Sequence, residues 1–336
     1  MEDLVAGMIP GPGRTLVTGA TGLIGGWLVR RLLELGAGVV IFVRDWDPQS
    51  ELIRSGIVNQ TTVVNGRLED YASVERAINQ YEIDTVFHLG AQTIVGTALR
   101  SPLETFESNI RGTYHLLEAC RVHRDLVQRV VVASSDKAYG EMEGLPYTEG
   151  TELRARHPYD VSKACGDLLA MAYAHTYALP VAVARCGNVF GGGDLNWSRI
   201  VPGTIRSILR NERPVVRSDG SYVRDYIYVG DAVEAYLLLG SRTGEVGVRG
   251  EAFNFSTGTP TTVMEVVREI LTLMNRHDLV PVVLDRAEKE IRSQHLDSRK
   301  ARERLGWTPG HDLRSGLRET IAWYEAFLSP ADRLPV

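Results

Sequence analysis

The feature that most constrains the fold is an alternation of short apolar segments with longer segments of helical period. The apolar segments are of strand length and rich in Val, Ile or Thr, and they predict strands at 15–20, 39–45, 61–68, 85–91, 129–135 and 180–186. Helices are predicted between them at 23–35, 73–80, 103–122 and 158–177. Because wholly apolar strands are buried on both faces, this alternation predicts an α/β fold with a doubly wound parallel sheet of the Rossmann type.

Beyond residue 190 the alternation is lost. A glycine-rich loop at 191–193 comes first, followed by predicted helices at 198–209, 230–239, 263–276 and 313–327 and by strand-like pieces at 214–217 and 251–256. We therefore predict an NAD(P)-binding Rossmann domain over 1–190. Residues 191–336 are predicted to form a smaller C-terminal substrate-binding lobe that is partly interleaved with the first domain.

Composition and charge exclude several classes of function. Lys and Arg number 37 against 42 Asp and Glu, a net charge of −5, so no basic surface is expected for nucleic acid. Apolar runs such as 39–43 are too short to cross a membrane, and 1–14 lacks the pattern of a signal peptide. The scattered Cys120, Cys165 and Cys186 are typical of a reduced cytoplasmic protein, and the histidines lack metal-ligand spacing. We expect no metal, membrane or nucleic-acid partner.

The first predicted turn carries three glycines. Gly19, Gly22 and Gly25 lie between a strand and a helix, where glycines permit a tight turn and a close approach of the backbone to a pyrophosphate. The following helix N-terminus favours the phosphate charge. At the end of the second strand, Asp45 would accept hydrogen bonds from the ribose of NAD. The neighbouring Arg44 would instead bind the 2′-phosphate of NADP, so NAD is favoured and NADP stays open.

Two polar groups of residues indicate chemistry. Tyr159 and Lys163 lie one helical turn apart, and a neighbouring ammonium lowers the pKa of a tyrosine from about 10, which favours a general base. Ser135, Asp136 and Lys137 follow the fifth strand, at the sheet edge where ligands bind in open α/β sheets. They offer a hydrogen-bond donor, an acid and a base. Without further context, a polar turn with an incidental Asp-Lys pair is the better explanation.

Several segments resemble, in order, those of the extended short-chain dehydrogenase/reductases, the NAD-dependent epimerase/dehydratase family. They are the glycine loop at 19–25, His-Leu-Gly-Ala at 88–91, Ser-Ser-Asp-Lys-Ala-Tyr at 134–139, Tyr159 with Lys163, Arg-Cys-Gly-Asn-Val at 185–189, Arg-Asp-Tyr-Ile-Tyr-Val at 224–229 and the segment 300–307. Within the family, the segments 135–137, 191–194 and 199–202 are most similar to nucleotide-sugar 4,6-dehydratases, particularly those that act on CDP-glucose.

This resemblance implies a lyase that forms a 4-keto-6-deoxy sugar nucleotide. Tyr159, assisted by Ser135 and Lys163, would take the proton of the sugar 4-hydroxyl while hydride passes from C4 to NAD. Asp136 would protonate the departing 6-hydroxyl, and hydride would return to C6. Lys137 occupies the slot where many dehydratases carry Glu, and as a neutral amine it would take the C5 proton.

The resemblance also implies binding residues. Those expected at the cofactor are Gly19, Gly22, Leu23, Ile24, Gly25, Arg44, Asp45, Leu68, Leu89, Gly90, Ala91, Tyr159 and Lys163. Those expected at a nucleotide-diphosphate sugar are Thr93, Asn188, Arg199, Arg224 and Arg286, and guanidinium groups suit phosphate oxygens. Arg67 stands where the family usually has an Asp that holds adenine. The family pairs the helices at 103–122 and 158–177 with their copies, so a homodimer is expected.

Two alternatives remain. A nucleotide-sugar 4-epimerase would use the same Ser135, Tyr159 and Lys163, but it needs no acid/base pair for elimination. Asp136 and Lys137 therefore favour the dehydratase. A non-catalytic NAD(P)-sensing protein tends to lose the tyrosine and the lysine, and this chain retains both.

Overall fold

The computed structural model describes residues 13–286 and 290–329. Most of the N-terminal segment 1–14 therefore lies outside the described residues. The strands are β1 (Arg14–Thr18), β2 (Gly38–Val43), β3 (Thr62–Asn65), β4 (Thr85–His88), β5 (Arg129–Ala133), β6 (Val181–Cys186), β7 (Asn188–Phe190), β8 (Val215–Val216), β9 (Val223–Tyr228), β10 (Ala252–Phe255), β11 (Pro260–Thr262) and β12 (Val282–Val283). Seven of them form a parallel sheet in the order β10-β6-β5-β4-β1-β2-β3. The predicted Rossmann-type fold is confirmed.

The α-helices are α1 (Leu23–Glu34), α2 (Glu51–Arg54), α3 (Tyr71–Gln80), α4 (Val95–Arg100), α5 (Pro102–Phe106), α6 (Gly112–Val122), α7 (Pro158–Tyr177), α8 (Ile200–Leu209), α9 (Val229–Arg242), α10 (Val263–Leu273), α11 (Arg299–Leu305) and α12 (Leu313–Phe327). The segment 103–122, predicted as one helix, is α5 and α6 joined by a π-helical turn at Glu107–Arg111. None of the described helices is long and apolar enough to cross a membrane.

Alternation along the strands places apolar side chains on both faces of the large sheet. Val17 and Ile41 pack in one buried cluster with side chains of α1 and α9. Leu16 and Val40, one position earlier on the same strands, pack in a second cluster with α3, α6 and α7. Because successive strand residues point to opposite faces, a wholly apolar strand requires helices on both sides. Because helices cover both faces of the sheet, the carboxyl ends of the strands are left accessible to a ligand.

A smaller mixed sheet lies in the later part of the chain, with β9 between the antiparallel β11 and the parallel β7. Helices α8, α10 and α12 pack on it around a third apolar cluster. The strand-like segment at 251–256 forms β10, which pairs with β6 in the large sheet rather than with the smaller one. The division near residue 190 stays a prediction, since late residues complete the first sheet.

A buried ion pair fastens α7 to β6. Arg185 donates from Nε to Asp167 Oδ2 at 2.8 Å and from Nη2 to Asp167 Oδ1 at 3.0 Å, and both side chains are almost completely buried. Arg185 also donates from Nη1 to the Tyr139 hydroxyl at 2.8 Å. Removing one partner of such a pair leaves a buried charge without compensation.

We expect Asp167→Asn to lower the free energy of unfolding by about 3–5 kcal/mol, because Arg185 would lose its buried counter-charge. Urea unfolding measures this change. The matched control is Glu152→Gln, which removes a carboxylate from the exposed Arg154–Glu152 pair and should change stability little. Equal unfolding midpoints for the two variants would contradict the expectation.

Candidate active site

A cleft of about 1270 Å³ runs along the carboxyl edge of the large sheet and into the smaller lobe. Each predicted cofactor and substrate residue lines it, as do the predicted catalytic residues Ser135, Lys137, Tyr159 and Lys163. The remaining predicted catalytic residue, Asp136, is buried behind the cleft wall and is not among the lining residues. The structure therefore brings the predicted site residues together at one edge of the sheet.

The glycine turn is shaped for a close ligand. Gly19 has a φ of +71°, and a Cβ there would lie 2.7 Å from the backbone nitrogen of Gly90. A Cβ on Gly25 would overlap the carbonyl oxygen of Gly19. Helix α1 follows Gly22 without a side-chain cap or an acidic residue in its first turn, so its N–H groups and dipole favour an anion. These residues fit the pyrophosphate of a dinucleotide.

A buried chain of hydrogen bonds starts behind this turn. The Thr18 hydroxyl accepts from the backbone N–H of Gly90 at 3.0 Å and lies 2.9 Å from His88 Nδ1. His88 Nε2 lies 3.0 Å from the Thr113 hydroxyl, which donates to the carbonyl of Asn109 at 2.6 Å. Burial lowers the pKa of His88 to about 3, so the ring is neutral and serves as a structural bridge.

The chain continues to the helix that carries the predicted base. Asn109 donates from Nδ2 to the carbonyl of Gln92 at 3.0 Å and to the Ser162 hydroxyl at 2.9 Å. Ser162 in turn donates to the carbonyl of Tyr159 at 2.7 Å. Asn109 lies in the π-helical turn, which helps to explain the interruption of the predicted helix. The first turn of α7 is thereby tied to the cofactor side of the cleft.

Burial dominates the ionisation of the tyrosine–lysine pair. It raises the pKa of Tyr159 to about 12, although the Arg199 charge and a hydrogen bond with Ser135 act in the opposite direction. It lowers the pKa of Lys163 to about 8, and the ammonium donates to the carbonyl of Ala133 at 2.8 Å. The expectation that Lys163 brings the pKa of Tyr159 below 10 is wrong for this structure, because removal of the phenol from water outweighs nearby positive charge.

Asp136 has the environment of an acid. Its residue surface is 1% exposed, and Oδ1 accepts from the Ser135 hydroxyl at 2.9 Å. Oδ2 has no hydrogen-bond partner among the described residues. Burial raises the pKa of this carboxyl, with the charges of Lys137 and Arg224 acting against the rise. A carboxyl buried in this way favours its protonated form.

Asp160 lines the cleft but was not predicted from the sequence as a site residue. It directly follows Tyr159 in the first turn of α7, is almost fully buried, and lines the cleft together with His157. Burial raises its pKa, offset first by Lys137 and then by His157. The sequence feature that could have identified it is its position between Tyr159 and Lys163, inside the tyrosine–lysine motif.

Two of the predicted substrate arginines, Arg199 and Arg224, have partners within the chain. Arg199 donates from Nη1 to Asp194 Oδ2 at 2.9 Å. Arg224 donates from Nη1 to the carbonyl of Val223 at 2.8 Å, and its Nη2 lies 3.6 Å from Glu290 Oε2. Arg224 is almost fully buried although it lines the cleft, so its charge is directed inward rather than to bulk solvent.

The comparison with protein families decides the relationship. The family model described as GDP-mannose 4,6 dehydratase matches residues 16–320. The chain belongs to the NAD-dependent epimerase/dehydratase family. The resemblance inferred from the sequence is thus confirmed. The family comprises nucleotide-sugar 4,6-dehydratases and 4-epimerases.

Relatives within the epimerase/dehydratase family include both activities. The chain is 30% identical to the CDP-glucose 4,6-dehydratase of Salmonella typhimurium strain LT2, covering 96% of this chain and 93% of the relative. It is similar to the UDP-glucose 4-epimerase of Thermotoga maritima, solved with UDP-glucose. The TM-score is 0.85 and the identity 30%, and the match covers 94% of this chain and 100% of that one. The chain is also similar to the dTDP-glucose 4,6-dehydratase of Streptomyces venezuelae, solved with NAD and TYD. The TM-score is 0.84 and the identity 26%, and the match covers 93% of this chain and 97% of that one.

In this member of the epimerase/dehydratase family, the partly buried Lys163 predicts a pH-dependent stability. Since its pKa falls from 10.5 to about 8 on folding, the unfolded state holds a proton that the folded state has released between those pH values. The unfolding free energy of the wild type relative to Lys163→Met should therefore rise by roughly 3 kcal/mol as the pH increases from about 8 to 10.5. Urea unfolding at a series of pH values measures it, and a flat difference would contradict it.

Proposed function

We propose that the protein is an NAD-dependent nucleotide-sugar 4,6-dehydratase, a lyase that forms a 4-keto-6-deoxy sugar nucleotide. The observation that carries the proposal is the buried Asp136, hydrogen-bonded to Ser135 and shifted toward its protonated form. Ser135 lines the cleft together with Tyr159, so the acid is hydrogen-bonded to a hydroxyl that faces the same cleft as the prospective base. Elimination of water needs such an acid, whereas inversion at C4 does not.

The first step concerns the sugar 4-hydroxyl. The glycine turn would hold NAD, which would supply the hydride acceptor for C4 and the hydride that returns to C6. Tyr159 takes the hydroxyl proton, and Ser135, which lines the same cleft, orients the sugar oxygen. Because burial disfavours the phenolate, the positive charge of Arg199 is needed to make this proton transfer accessible. Lys163, fixed on the carbonyl of Ala133, adds a second cation in the same cleft.

The second step is the loss of water across C5 and C6. A ketone at C4 acidifies the C5 proton, and Lys137 lines the cleft next to Ser135 as the candidate base for it. Asp136 donates its proton to the departing 6-hydroxyl. The two groups are adjacent in the same turn, Asp136–Tyr139, and we assign the acid and the base of the elimination to this turn.

The substrate class follows from the charge of the cleft. Arg199, Arg224 and Arg286 all line the cleft, and guanidinium groups suit a diphosphate. The relatives act on CDP-, dTDP- and UDP-sugars according to their names, which supports a nucleoside diphosphate sugar. At the other end, Arg44 donates to Asp45 at 2.6 Å. A paired arginine is less available to a 2′-phosphate, which favours NAD over NADP.

A 4-epimerase is the second candidate. It would use Ser135, Tyr159 and Lys163 in the same way and would leave Asp136 without a role. Two observations favour it: Asp136 does not line the cleft, and the fold superimposes closely on that of a UDP-glucose 4-epimerase. The third alternative, a protein that only senses NAD(P), has no observation in its favour.

Mass spectrometry of reactions with CDP-, dTDP-, GDP- and UDP-hexoses, each with NAD or NADP, tests the proposal. Loss of one water from one substrate would support the dehydratase and identify the nucleotide. Unchanged mass with inverted C4 by NMR would establish the epimerase instead. No change with any of these substrates would count against both enzymes.

We expect Asp136→Asn to slow water loss by about 100-fold or more, because an amide cannot protonate the departing hydroxyl. Oxidation at C4 should persist and appear as absorbance of reduced nicotinamide in a single turnover. The control is Glu143→Gln, which changes an exposed carboxyl in the neighbouring loop. Water loss by Asp136→Asn at the wild-type rate would refute the assignment of the acid.

We further propose that the protein forms a homodimer through the outer faces of α5, α6 and α7. These helices pack on one another and expose large apolar side chains, among them Leu103, Tyr114, Leu168 and Tyr177. Leu103 is 73% exposed and Leu168 is 58% exposed. A second copy related by a two-fold axis presents the same apolar faces, so it can bury them reciprocally.

We expect Leu168→Glu to shift the protein from dimer to monomer, because a carboxylate would be buried twice in a two-fold interface. Size-exclusion chromatography with light scattering measures the mass. The control is Val246→Glu, at a residue that is 98% exposed and lies outside these helices. A monomeric wild type, or a dimeric Leu168→Glu, would contradict the proposal.

A further inference from the structure

Gln294 joins a late segment of the chain to the turn that carries the proposed acid. It is completely buried, and its Nε2 donates to the backbone carbonyl of Asp136 at 2.5 Å. The two residues are 158 positions apart in the sequence, so no local pattern predicts this contact. The carbonyl belongs to the first residue of the turn Asp136–Tyr139, which also carries Lys137. Gln294 therefore supports the proposed acid and base from behind the cleft wall.

The backbone around Gln294 is held on both sides. Its N–H donates to the carbonyl of Val223 at 3.1 Å, and the N–H of Val223 donates to the carbonyl of Arg292 at 2.9 Å. On the other side of the segment, the N–H of Tyr147 donates to the carbonyl of His295 at 3.0 Å. The first pairing involves β9, and the second involves the loop that leads to α7. The side chain of Gln294 thus extends from a backbone that these hydrogen bonds hold in place.

Only one end of the Gln294 amide is used. A backbone carbonyl accepts but cannot donate, so the contact with Asp136 directs the NH₂ group toward the turn. Oε1 is buried and accepts no hydrogen bond from any described residue. A buried acceptor without a donor is unfavourable, and an apolar side chain of similar size would avoid it. Folding stability alone does not explain the amide, whereas the hydrogen bond to Asp136 does.

The position of the turn matters for the proposed elimination. Asp136 has to reach the departing 6-hydroxyl, and proton transfer requires hydrogen-bond distance between the acid and the oxygen that it protonates. A displacement of about 1 Å can slow a reaction by about 100-fold. The other end of the turn has its own anchor, because the Tyr139 hydroxyl donates to Asn254 Oδ1 at 2.7 Å. Gln294 holds the end that carries the acid.

The same segment also contacts a proposed substrate residue. Arg224 donates from Nη1 to the carbonyl of Arg292 at 3.3 Å, in addition to its bond with Val223. Arg292 and Gln294 are two positions apart, so one short piece of chain contacts both Arg224 and Asp136. The spacing between the proposed diphosphate contact and the acid depends on this piece.

We propose that Gln294 is a positioning residue for the elimination of water, and that it holds the turn Asp136–Tyr139 in place through the backbone carbonyl of Asp136. Gln294 is not among the residues that line the cleft, so it acts through Asp136 rather than on a ligand. The inference rests on the proposed dehydratase and names a residue outside the cleft on which its second step depends. Oxidation at C4, assigned to Tyr159, should not depend on Gln294.

The test is single-turnover kinetics of the full chain loaded with NAD, using CDP-, dTDP- and UDP-glucose and GDP-mannose as probes. In Gln294→Met, we expect reduced nicotinamide to form at the wild-type rate and to decay about tenfold more slowly, because its hydride returns only after water has left. The steady-state kcat should fall by a similar factor, while KM stays within about twofold of the wild-type value. Absorbance follows the nicotinamide, and mass spectrometry follows the loss of water.

Two further variants complete the design. Gln294→Asn keeps an amide but is one methylene shorter, so its donor falls short of the Asp136 carbonyl and the same slow decay is expected. Gln128→Met is the matched control, since this exposed glutamine at the amino end of β5 also donates to backbone carbonyls. It should change neither phase. Thermal unfolding shows whether each variant is folded.

The outcomes separate this inference from the proposed function. Decay of reduced nicotinamide at the wild-type rate in both Gln294 variants would overturn the inference while leaving the dehydratase in place. Equal slowing of nicotinamide reduction and of its decay, or unfolding of both variants, would assign Gln294 to general stability and would also overturn it. A wild type that removes water from none of the probes would overturn the proposed function, and this inference with it.

Discussion

The hydrogen-bonded chain from Thr18 through His88, Thr113 and Asn109 to Ser162 is the interaction on which the site depends. It joins β1, which carries the glycine turn, to the first turn of α7, which carries Tyr159. Each member is buried, and each would leave a neighbour unsatisfied if it were removed. Such networks act as a unit, so the distance between the cofactor side and the catalytic side of the cleft is set inside the core. The loops at the cleft can then vary without moving it.

Burial shifts four ionisable groups at the catalytic end of the cleft toward their neutral forms. It raises the pKa of Tyr159, Asp136 and Asp160 and lowers that of Lys163. In each case the opposing influence is a neighbouring charge or hydrogen bond, and in each case it is the smaller one. Burial therefore favours the protonated form of these three oxygen acids. This suits the proposed transfer of a proton to a departing hydroxyl.

Much of this arrangement could be predicted from the sequence. Apolar strands such as the one that contains Val39, and the glycine spacing at Gly19–Gly25, depend on local sequence patterns. Both the sheet and the cleft edge were therefore predictable. The interruption within 103–122 was not, because it depends on Asn109 reaching Gln92 and Ser162 from other parts of the chain. The placement of β10 and the burial of Asp136 also depend on long-range packing. The pKa of Tyr159 was predicted in the wrong direction, since desolvation cannot be seen in a spacing.

The position of β10 governs how the protein is made. While the ribosome is still translating the second half of the chain, β6 has an unpaired edge, and Asn254, which accepts from the Tyr139 hydroxyl, does not yet exist. The nascent Rossmann sheet is thus an open template for pairing with other chains until residues Ala252–Phe255 emerge. For the same reason, a gene cut near codon 190 separates a strand from its sheet rather than one lobe from another.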